Sequence, residues 1–429
     1  MRVAIVGYGV EGVSACHYFA AKGDDVTVFH KVRPDDLPAD VKVIIDEHAT
    51  DLSGYDVVVR SPATRPDLLH TDGRVTSVIK EFLSVFGPER VIGVTGSKGK
   101  GTTASLIYEM LKAAGWRVHL GGNIGVPALN LLAKAKDGDW VVLEMSSFQL
   151  WDLEISPHIA VLLMIEPEHL DVHSSPGEYI AAKANIASHQ QPDDVLVYLP
   201  TNPLTLQAAK QATGRKIPYN QSPGAHLEGQ NIVMEGQVIV PIAELSLVGQ
   251  HNIDNACAAV TAVWQIIQDK AAMRQVLTTF KGLPHRLQLV AEVDGVEYYD
   301  DSIATTPGSA IAALRSFTQP KVIILGGSDK GADFTELAEE VAKQDMRGAV
   351  LIGAMQQKMH ASLRAAQVDE QKIHVLVGKP GMPTIVGQAK NLAQPGDVVI
   401  MSPACASFDM FKNYKDRGEQ FIAAVESLV

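Results

Sequence analysis

Short apolar runs alternate with stretches of helical periodicity from one end of the chain to the other. The runs are Val3–Val6, Val26–Phe29, Val57–Val59, Val91–Val94, Val141–Leu143, Ile159–Ile165, Val195–Leu199, Val322–Leu325, Ala349–Ile352 and Val398–Met401. Each is continuously apolar and rich in Val and Ile, which predicts a strand covered on both faces. The helical stretches between them, such as Val13–Lys22, Ala104–Ala114 and Tyr179–Ala187, place these strands in doubly wound parallel sheets. The pattern changes only over 214–246, where Ile-Val-Met-Glu-Gly-Gln-Val-Ile-Val reads as short strands joined by turns, an antiparallel patch. Phe86-Gly87-Pro88-Glu89 and Lys281-Gly282-Leu283-Pro284 break the rhythm, so three α/β units are expected: 1–88, 89–282 and 283–429.

Composition narrows what such a chain does. With 429 residues it is too long for one core, and 46% hydrophobic with 20% charged residues is an ordinary globular balance. A formal charge of −12 provides no basic field for nucleic acid or an anionic membrane surface, although small anions fit local basic pockets. No apolar run approaches the ~20 residues that cross a bilayer. The strand-like stretch starts at Arg2, so no secretory leader is expected. Cys16, Cys257 and Cys405 are too scattered for a disulfide or metal framework and suit a reducing, cytoplasmic location.

The residues that carry chemistry cluster just after the predicted strands. Gly7-Tyr8-Gly9-Val10-Glu11-Gly12 follows the first run and opens a helix, where glycines let backbone N–H groups approach a phosphate. A tight turn in a nucleotide-type fold, a non-redox nucleotide ligand and NAD(P) are all compatible with it. His30 and Lys31 stand where a dinucleotide site would place its ribose-binding acid, which weighs against NAD(P). Gly96-Ser97-Lys98-Gly99-Lys100-Gly101-Thr102-Thr103 lies between a strand and a helix, as a phosphate-cradling loop does, with Lys100 supplying a point charge. It is a shortened variant: Val94 replaces the first glycine of the full spacing, and Gly101 replaces the hydroxyl residue that ligates Mg²⁺, with Thr102 one place on.

Glu144, in Glu144-Met145-Ser146-Ser147-Phe148-Gln149, ends the next buried run, where a Mg²⁺ ligand is expected. Glu166-Pro167-Glu168-His169-Leu170-Asp171 adds three carboxylates and an imidazole at the following strand end, with Lys183 downstream on a helix. In the third unit, Asp300-Asp301-Ser302 with Thr305, Gly326–Gly331 and Ser402–Ser407 are further strand-end loops. Each one alone reads equally as a turn or a solvated surface.

Taken together and in order, these motifs resemble the Mur ligases, most nearly the members that add D-glutamate. The resemblance extends through Gly121-Gly122-Asn123-Ile124-Gly125, Gly249-Gln250-His251-Asn252 to Asn255, Leu283-Pro284-His285-Arg286 and Phe411-Lys412-Asn413-Tyr414, covering nearly the whole chain. It implies a Rossmann-like N-terminal domain for a UDP substrate, a central P-loop ATPase-like parallel sheet and a C-terminal Rossmann-like α/β domain for the amino acid. The implied reaction is ATP-dependent addition of D-glutamate to UDP-N-acetylmuramoyl-L-alanine through an acyl phosphate, in peptidoglycan precursor synthesis. The expected enzyme is a monomer with no nucleic-acid partner and no membrane span.

By the same resemblance, Lys100 and the backbone of Gly96, Ser97, Lys98, Gly99, Gly101, Thr102 and Thr103 hold the ATP phosphates. Asn255, Arg286 and Asp301 contact the nucleotide. Glu144 with Thr102 takes one of two Mg²⁺ ions, and His169 with Lys183, carbamylated in this family, takes the other. Gly9, Val10, Glu11 and Asn123 serve the UDP-sugar substrate, while Thr305, Lys330, Ser407 and Tyr414 surround the incoming glutamate.

This sequence departs from the family pattern at Gly101, at Ile303 where a lysine is common, at His30-Lys31, and at Ala63 where glycine is usual after Ser61-Pro62. A Mur-type ligase for another amino acid, a dehydrogenase built on Gly7–Gly12, and an ATP-binding protein with weakened catalysis are the competing readings.

Overall fold

The computed structural model describes the chain apart from residues 35–36, 47–50, 170–171, 248, 329–331 and 429. The chain divides into two units, Met1–Phe280 and Lys281–Val429.

The first unit opens with β1 (Arg2–Val6), β2 (Asp25–His30), β3 (Lys42–Ile45), β4 (Val57–Arg60) and β5 (Arg74–Thr76). They form a parallel sheet in the order β3-β2-β1-β4-β5. Alternation along the pleat sorts β1 between two cores: Val3 and Ile5 pack with Phe19 and Phe82, whereas Ala4 and Val6 pack with Phe29 and Val58. The strand order reverses beside β1, so the loops after β1 and β4 face one crevice. They meet there, the Ser61 amide donating to the Val6 carbonyl at 2.9 Å.

A second parallel sheet contains β6 (Val91–Thr95), β7 (Val118–Gly122), β8 (Trp140–Glu144), β9 (Ile159–Leu162), β10 (Val195–Tyr198) and β11 (Arg215–Pro218). Its order is β11-β10-β9-β6-β8-β7, which puts the loop after β6 between the carboxyl ends of β8 and β9. One face shares the Phe19–Phe82 core of the first sheet, through Val141, Leu143, Ala160 and Leu162. The other packs on the helix Lys100–Ala113 and the helix Gln250–Trp264.

Two details differ from the sequence reading. β11, expected in the antiparallel patch, pairs parallel with β10; within that patch the antiparallel strands are β12 (His226–Glu228), β13 (Asn231–Met234) and β14 (Gln237–Pro241). The apolar run 159–165 ends its pairing with β10 at Leu162: the Leu163 amide still donates to Thr95 at the end of β6, and the Met164 carbonyl accepts from the loop after it.

The second unit is one six-stranded sheet of β15 (Gln288–Val293), β16 (Val296–Asp300), β17 (Lys321–Gly326), β18 (Met346–Ile352), β19 (Ile373–Val375) and β20 (Val398–Met401). Its order is β15-β16-β20-β17-β18-β19. β15 and β16 form an antiparallel hairpin whose Asp294-Gly295 turn has positive φ at both residues; the other pairings are parallel. Ile323 and Leu325 face the helices Pro307–Arg315, Thr335–Lys343 and Gln356–Ala365. Val322 and Ile324 face Met382–Leu392 and Tyr414–Glu426. The chain is therefore mixed α/β with mainly parallel sheets. Among the described residues, no helix is long and apolar enough to cross a membrane.

Candidate active site

The loop Gly96–Gly99 leaves β6 and delivers the chain into the helix Lys100–Ala113, whose first amides have no carbonyl four residues back. Three neighbours hold the loop. The Ser97 amide donates to the Met164 carbonyl at 2.8 Å, and the Ser97 hydroxyl bonds the Glu166 backbone and the Tyr179 hydroxyl, the latter at 2.9 Å. Burial pushes the Tyr179 phenol up to about 12, so it remains a neutral hydrogen-bonding group. Asn255, buried on its helix, accepts from the Thr103 hydroxyl at 3.3 Å. Lys98 forms an exposed 3.0 Å ion pair with Glu166. Thr102 is half-buried in the first turn, and Gly101 beside it is buried.

Two lysines converge on this loop. Lys100 Nζ donates to the carbonyls of Gly96 and Ser97 at 3.0 and 2.8 Å, and Lys183 Nζ donates to the same Gly96 carbonyl at 2.8 Å. Lys183 lies on the helix Pro176–Ser188, almost wholly buried, with its ammonium end 4.7 Å from the Tyr179 ring centroid. Burial, reinforced by the nearby Lys100 charge, pulls its amine well below the usual lysine range. That shift favours release of the ammonium proton, and an amine that has lost its proton is a nucleophile.

Glu144 ends β8, buried, and its carboxylate accepts from the Asn123 amide at 2.6 Å. Asn123 follows β7, and its backbone amide binds the Glu144 carbonyl at 2.8 Å. His169, exposed in the loop after β9, has a left-handed φ of +56° and packs its ring on Phe148. Lys100, Glu144, Asn123, His169 and Lys183 thus stand at the carboxyl ends of four adjacent strands, β9-β6-β8-β7, or on the helices entered from them. Asp171 lies outside the described residues.

Among the described residues, no three His, Cys, Asp or Glu side chains cluster to hold a metal by themselves. Magnesium does not need such a cluster: it binds through one or two carboxylates, water and substrate phosphates. Glu144 and the Thr102 hydroxyl beside a phosphate loop fit that pattern, and the His169 imidazole would add one nitrogen donor to it. The Lys183 amine is not an oxygen ligand, whereas a carboxylate built on it would be.

On the first sheet, Gly9 and Val10 line a cleft of about 430 Å³ with Tyr8, Val13, His30, Val32 and Pro34. His30 Nδ1 lies 3.4 Å from the Tyr8 amide. Glu11 turns away from this cleft: its carboxylate accepts from the Gln149 side-chain amide, and burial raises its pKa despite that bond and the nearby Arg60. Arg60 at the end of β4 is fully buried and donates to Asp152 and, at 2.9 Å, to the Phe148 carbonyl. Sequence reading missed Arg60 and Asp152, and it named Gln149 within a motif without giving it a role. The signal was a charge ending an apolar run, which names no partner.

In the second unit, the Asp301 loop follows β16 and the Ser407 loop follows β20. The Ala404 amide joins them, donating to the Ala304 carbonyl at 2.9 Å. Asp301 is buried and accepts from the Ser402 hydroxyl at 2.6 Å and the Leu287 amide at 3.2 Å; burial carries its carboxyl up to about 7. Arg417, buried and missed by sequence reading, donates to Ser302 Oγ and O at 2.9 and 2.8 Å and to the Cys405 carbonyl at 3.1 Å. Ser302 in turn donates to the Tyr414 carbonyl at 2.7 Å. Thr305 is half-buried in the first loop, Ser407 buried in the second, and Arg286 exposed before β15. Lys330 lies outside the described residues.

Comparison with known proteins follows the same geography. Residues 94–263 match the Mur ligase middle domain, and residues 285–405 match the Mur ligase glutamate ligase domain. A relative from Acetivibrio thermocellus named UDP-N-acetylmuramoylalanine--D-glutamate ligase is 38% identical, with 100% of this chain and 96% of the relative covered. Two solved structures share the fold. The UDP-N-acetylmuramate-alanine ligase MurC of Thermotoga maritima has a TM-score of 0.61 at 16% identity, covering 100% of this chain and 99% of its own. The MurF ligase of the same organism, in complex with ADP, has a TM-score of 0.59 at 18% identity, covering 100% and 95%. With both domain matches in order and a relative aligned from end to end, the chain belongs to the Mur ligase family.

Proposed function

We propose that this protein is an ATP-dependent ligase that adds D-glutamate to UDP-N-acetylmuramoyl-L-alanine in cytoplasmic peptidoglycan precursor synthesis. The observation that carries the reading is the shared sheet edge of Lys100, Glu144, His169 and the buried amine of Lys183 around one phosphate loop. The choice of D-glutamate rests on the full-length relative of that name. ATP as the phosphoryl donor is supported by the phosphate loop and by the ADP complex of the MurF ligase.

In this reading residues 1–88 hold the UDP substrate, 89–282 the ATP and 283–429 the amino acid, the two outer domains being Rossmann-like. A carboxylate is a poor acylating agent, so the alanyl carboxylate first takes the γ-phosphoryl group of ATP. The amine of D-glutamate then attacks that carbonyl, an amide forms, and phosphate leaves.

The work of the chain is to bring anions together. The loop amides Gly96–Thr103 and Lys100 offset phosphate charge, with Lys100 leaving its carbonyl partners for the phosphates. Two Mg²⁺ ions, when bound, neutralise charge developing in phosphoryl transfer. Glu144 and Thr102 would hold one of them. His169 would hold the other with Lys183, whose amine would add CO₂ and give up a proton to become a carbamate. Asn123 orients Glu144 and faces the muramoyl side; Gly9 and Val10 serve the UDP end, and Glu11, assigned there with them, does so by anchoring their loop to Gln149. Asn255, Arg286 and Asp301 contact the nucleotide, while Thr305, Lys330, Ser407 and Tyr414 surround the glutamate.

Phosphate release, measured with UDP-N-acetylmuramoyl-L-alanine against a panel of amino acids, tests the reading. Release with D-glutamate alone is expected. Release with another amino acid would reassign the substrate, and release with none would leave a nucleotide-binding protein.

A further inference from the structure

A column of rings and cations runs through the first unit to His169. Phe148 stands in the short helix Ser147–Leu150 after β8, and its ring centroid lies 5.1 Å from that of His169, tilted by 54°. The same ring lies parallel to His173, at 5.2 Å and 6°. Trp151 meets His173 at 4.5 Å, and the Arg65 guanidinium lies over Trp151 at 4.9 Å. Glu178 ties the far end, accepting from Arg65 at 2.9 Å and from Trp151 Nε1 at 3.1 Å. Burial works against its ionisation, yet bonds from Ser174, Arg65 and Trp151 outweigh that and hold Glu178 at about 2. His173 is buried, and its Nε2 pairs with Ser147 Oγ at 3.0 Å.

His169 needs such support. It is an exposed loop residue in a left-handed conformation, which an L-residue adopts only at a cost. An exposed imidazole without a ring or hydrogen bond against it samples several rotamers, whereas a ligand must be held within about 0.5 Å of its productive position. Ligating histidines ordinarily gain that order from a carboxylate or carbonyl on the other ring nitrogen. Here an aromatic face supplies it, and that face is itself held by a buried histidine and a tryptophan with a bonded indole.

We propose that Phe148, backed by His173, is a positioning residue that fixes the His169 imidazole as a divalent-cation ligand, and that Trp151 carries this order on to Arg65 in the loop after β4. The inference rests on the reading of His169 as a metal ligand. The column joins three loops, those after β4, β8 and β9, so the same contacts that order the imidazole tie it to the substrate-side sheet. Arg65 strengthens the tie by donating to the Val172 carbonyl at 2.8 Å, three residues past His169.

The test is Mn²⁺ binding to the full-length protein with ADP present, read from the electron paramagnetic resonance signal of free Mn²⁺. ADP affinity without metal is measured in parallel. Phe148→Leu and Phe148→Met keep apolar bulk but lose the ring, and each should weaken Mn²⁺ about tenfold or more while leaving ADP affinity unchanged. Phe148→Tyr keeps the ring and should bind Mn²⁺ like the parent. His169→Ala is the reference and should weaken Mn²⁺ at least as much.

Parent-like Mn²⁺ binding in both Leu and Met variants, beside a weakened His169→Ala, overturns the positioning role and leaves the metal reading intact. Parent-like binding in His169→Ala overturns the metal reading, and the positioning role with it. Equal losses of Mn²⁺ and ADP, or a Tyr variant as weak as Leu, would mean general damage and also overturn the inference.

Discussion

Gly99→Ala is the sharpest probe of the phosphate loop. Gly99 precedes the helix Lys100–Ala113 with φ at +84°, where an L-residue costs roughly 1–2 kcal/mol. A Cβ there would also stand 2.2 Å from Asn255 Oδ1 and 3.2 Å from its Cγ. Asn255 is buried within its own helix and cannot simply back away, so the loop must shift, at an overpacking cost of about 1–3 kcal/mol. The sum, about 2–5 kcal/mol, is shared between folding and nucleotide binding.

Calorimetric titration with ADP should therefore show affinity reduced about ten- to a hundredfold, with a lowered melting temperature. Adding Asn255→Ala removes the atom in the way. In the double variant the steric part of the Gly99→Ala loss should vanish while the backbone part and the cost of losing Asn255 itself remain, giving a favourable coupling of about 1–3 kcal/mol in the mutant cycle. A Gly99→Ala variant that binds ADP and melts like the parent would refute the reasoning. So would losses that merely add.

Three more outcomes are expected. Lys183→Ala should nearly abolish ligase activity, with partial return on adding short-chain carboxylates in bicarbonate buffer; full activity without rescue would remove Lys183 from the site. Asp301 titrates near 7 when folded against an ordinary 3.8, so the stability it lends is present below pH 4 and fades as pH rises to 7, by up to about 4 kcal/mol. Urea unfolding of Asp301→Asn should show a correspondingly flatter slope over that range, and an unchanged slope would count against the burial argument. Arg60→Met strands Asp152 and the Phe148 carbonyl, and should cost about 2–3 kcal/mol in urea unfolding; a loss under about 0.5 kcal/mol, the size of an ordinary surface change, would show that Arg60 does not hold the two sheets together.

What could be read from the sequence follows from burial. β1, β6, β8 and β20 are strands with both faces covered, so their composition alone announces them. β3 escaped because its Ile44 and Ile45 are exposed on an edge, and the hairpin β15–β16 because polar residues alternate along it. β11 was misplaced because a four-residue strand with an exposed Arg-Lys start looks the same whether its neighbour runs parallel or antiparallel. The phosphate loop was legible because backbone chemistry there demands glycine. Arg60 and Arg417 were not, since a buried guanidinium is explained only by acceptors distant in sequence, Asp152 for one and Ser302 for the other. The column from Arg65 to His169 was hidden for the same reason: its members are spread over more than a hundred residues.

The central claim is that this chain activates a carboxylate with ATP and passes it to an amine. UDP-N-acetylmuramoyl-L-alanine labelled with oxygen-18 in the alanyl carboxylate, incubated with ATP, Mg²⁺ and D-glutamate, tests it most directly. If the carboxylate is phosphorylated and then displaced, mass analysis will find one labelled oxygen in each phosphate released, matched by one amide product. Unlabelled phosphate, or labelled substrate left unchanged while ATP is hydrolysed, would contradict the account.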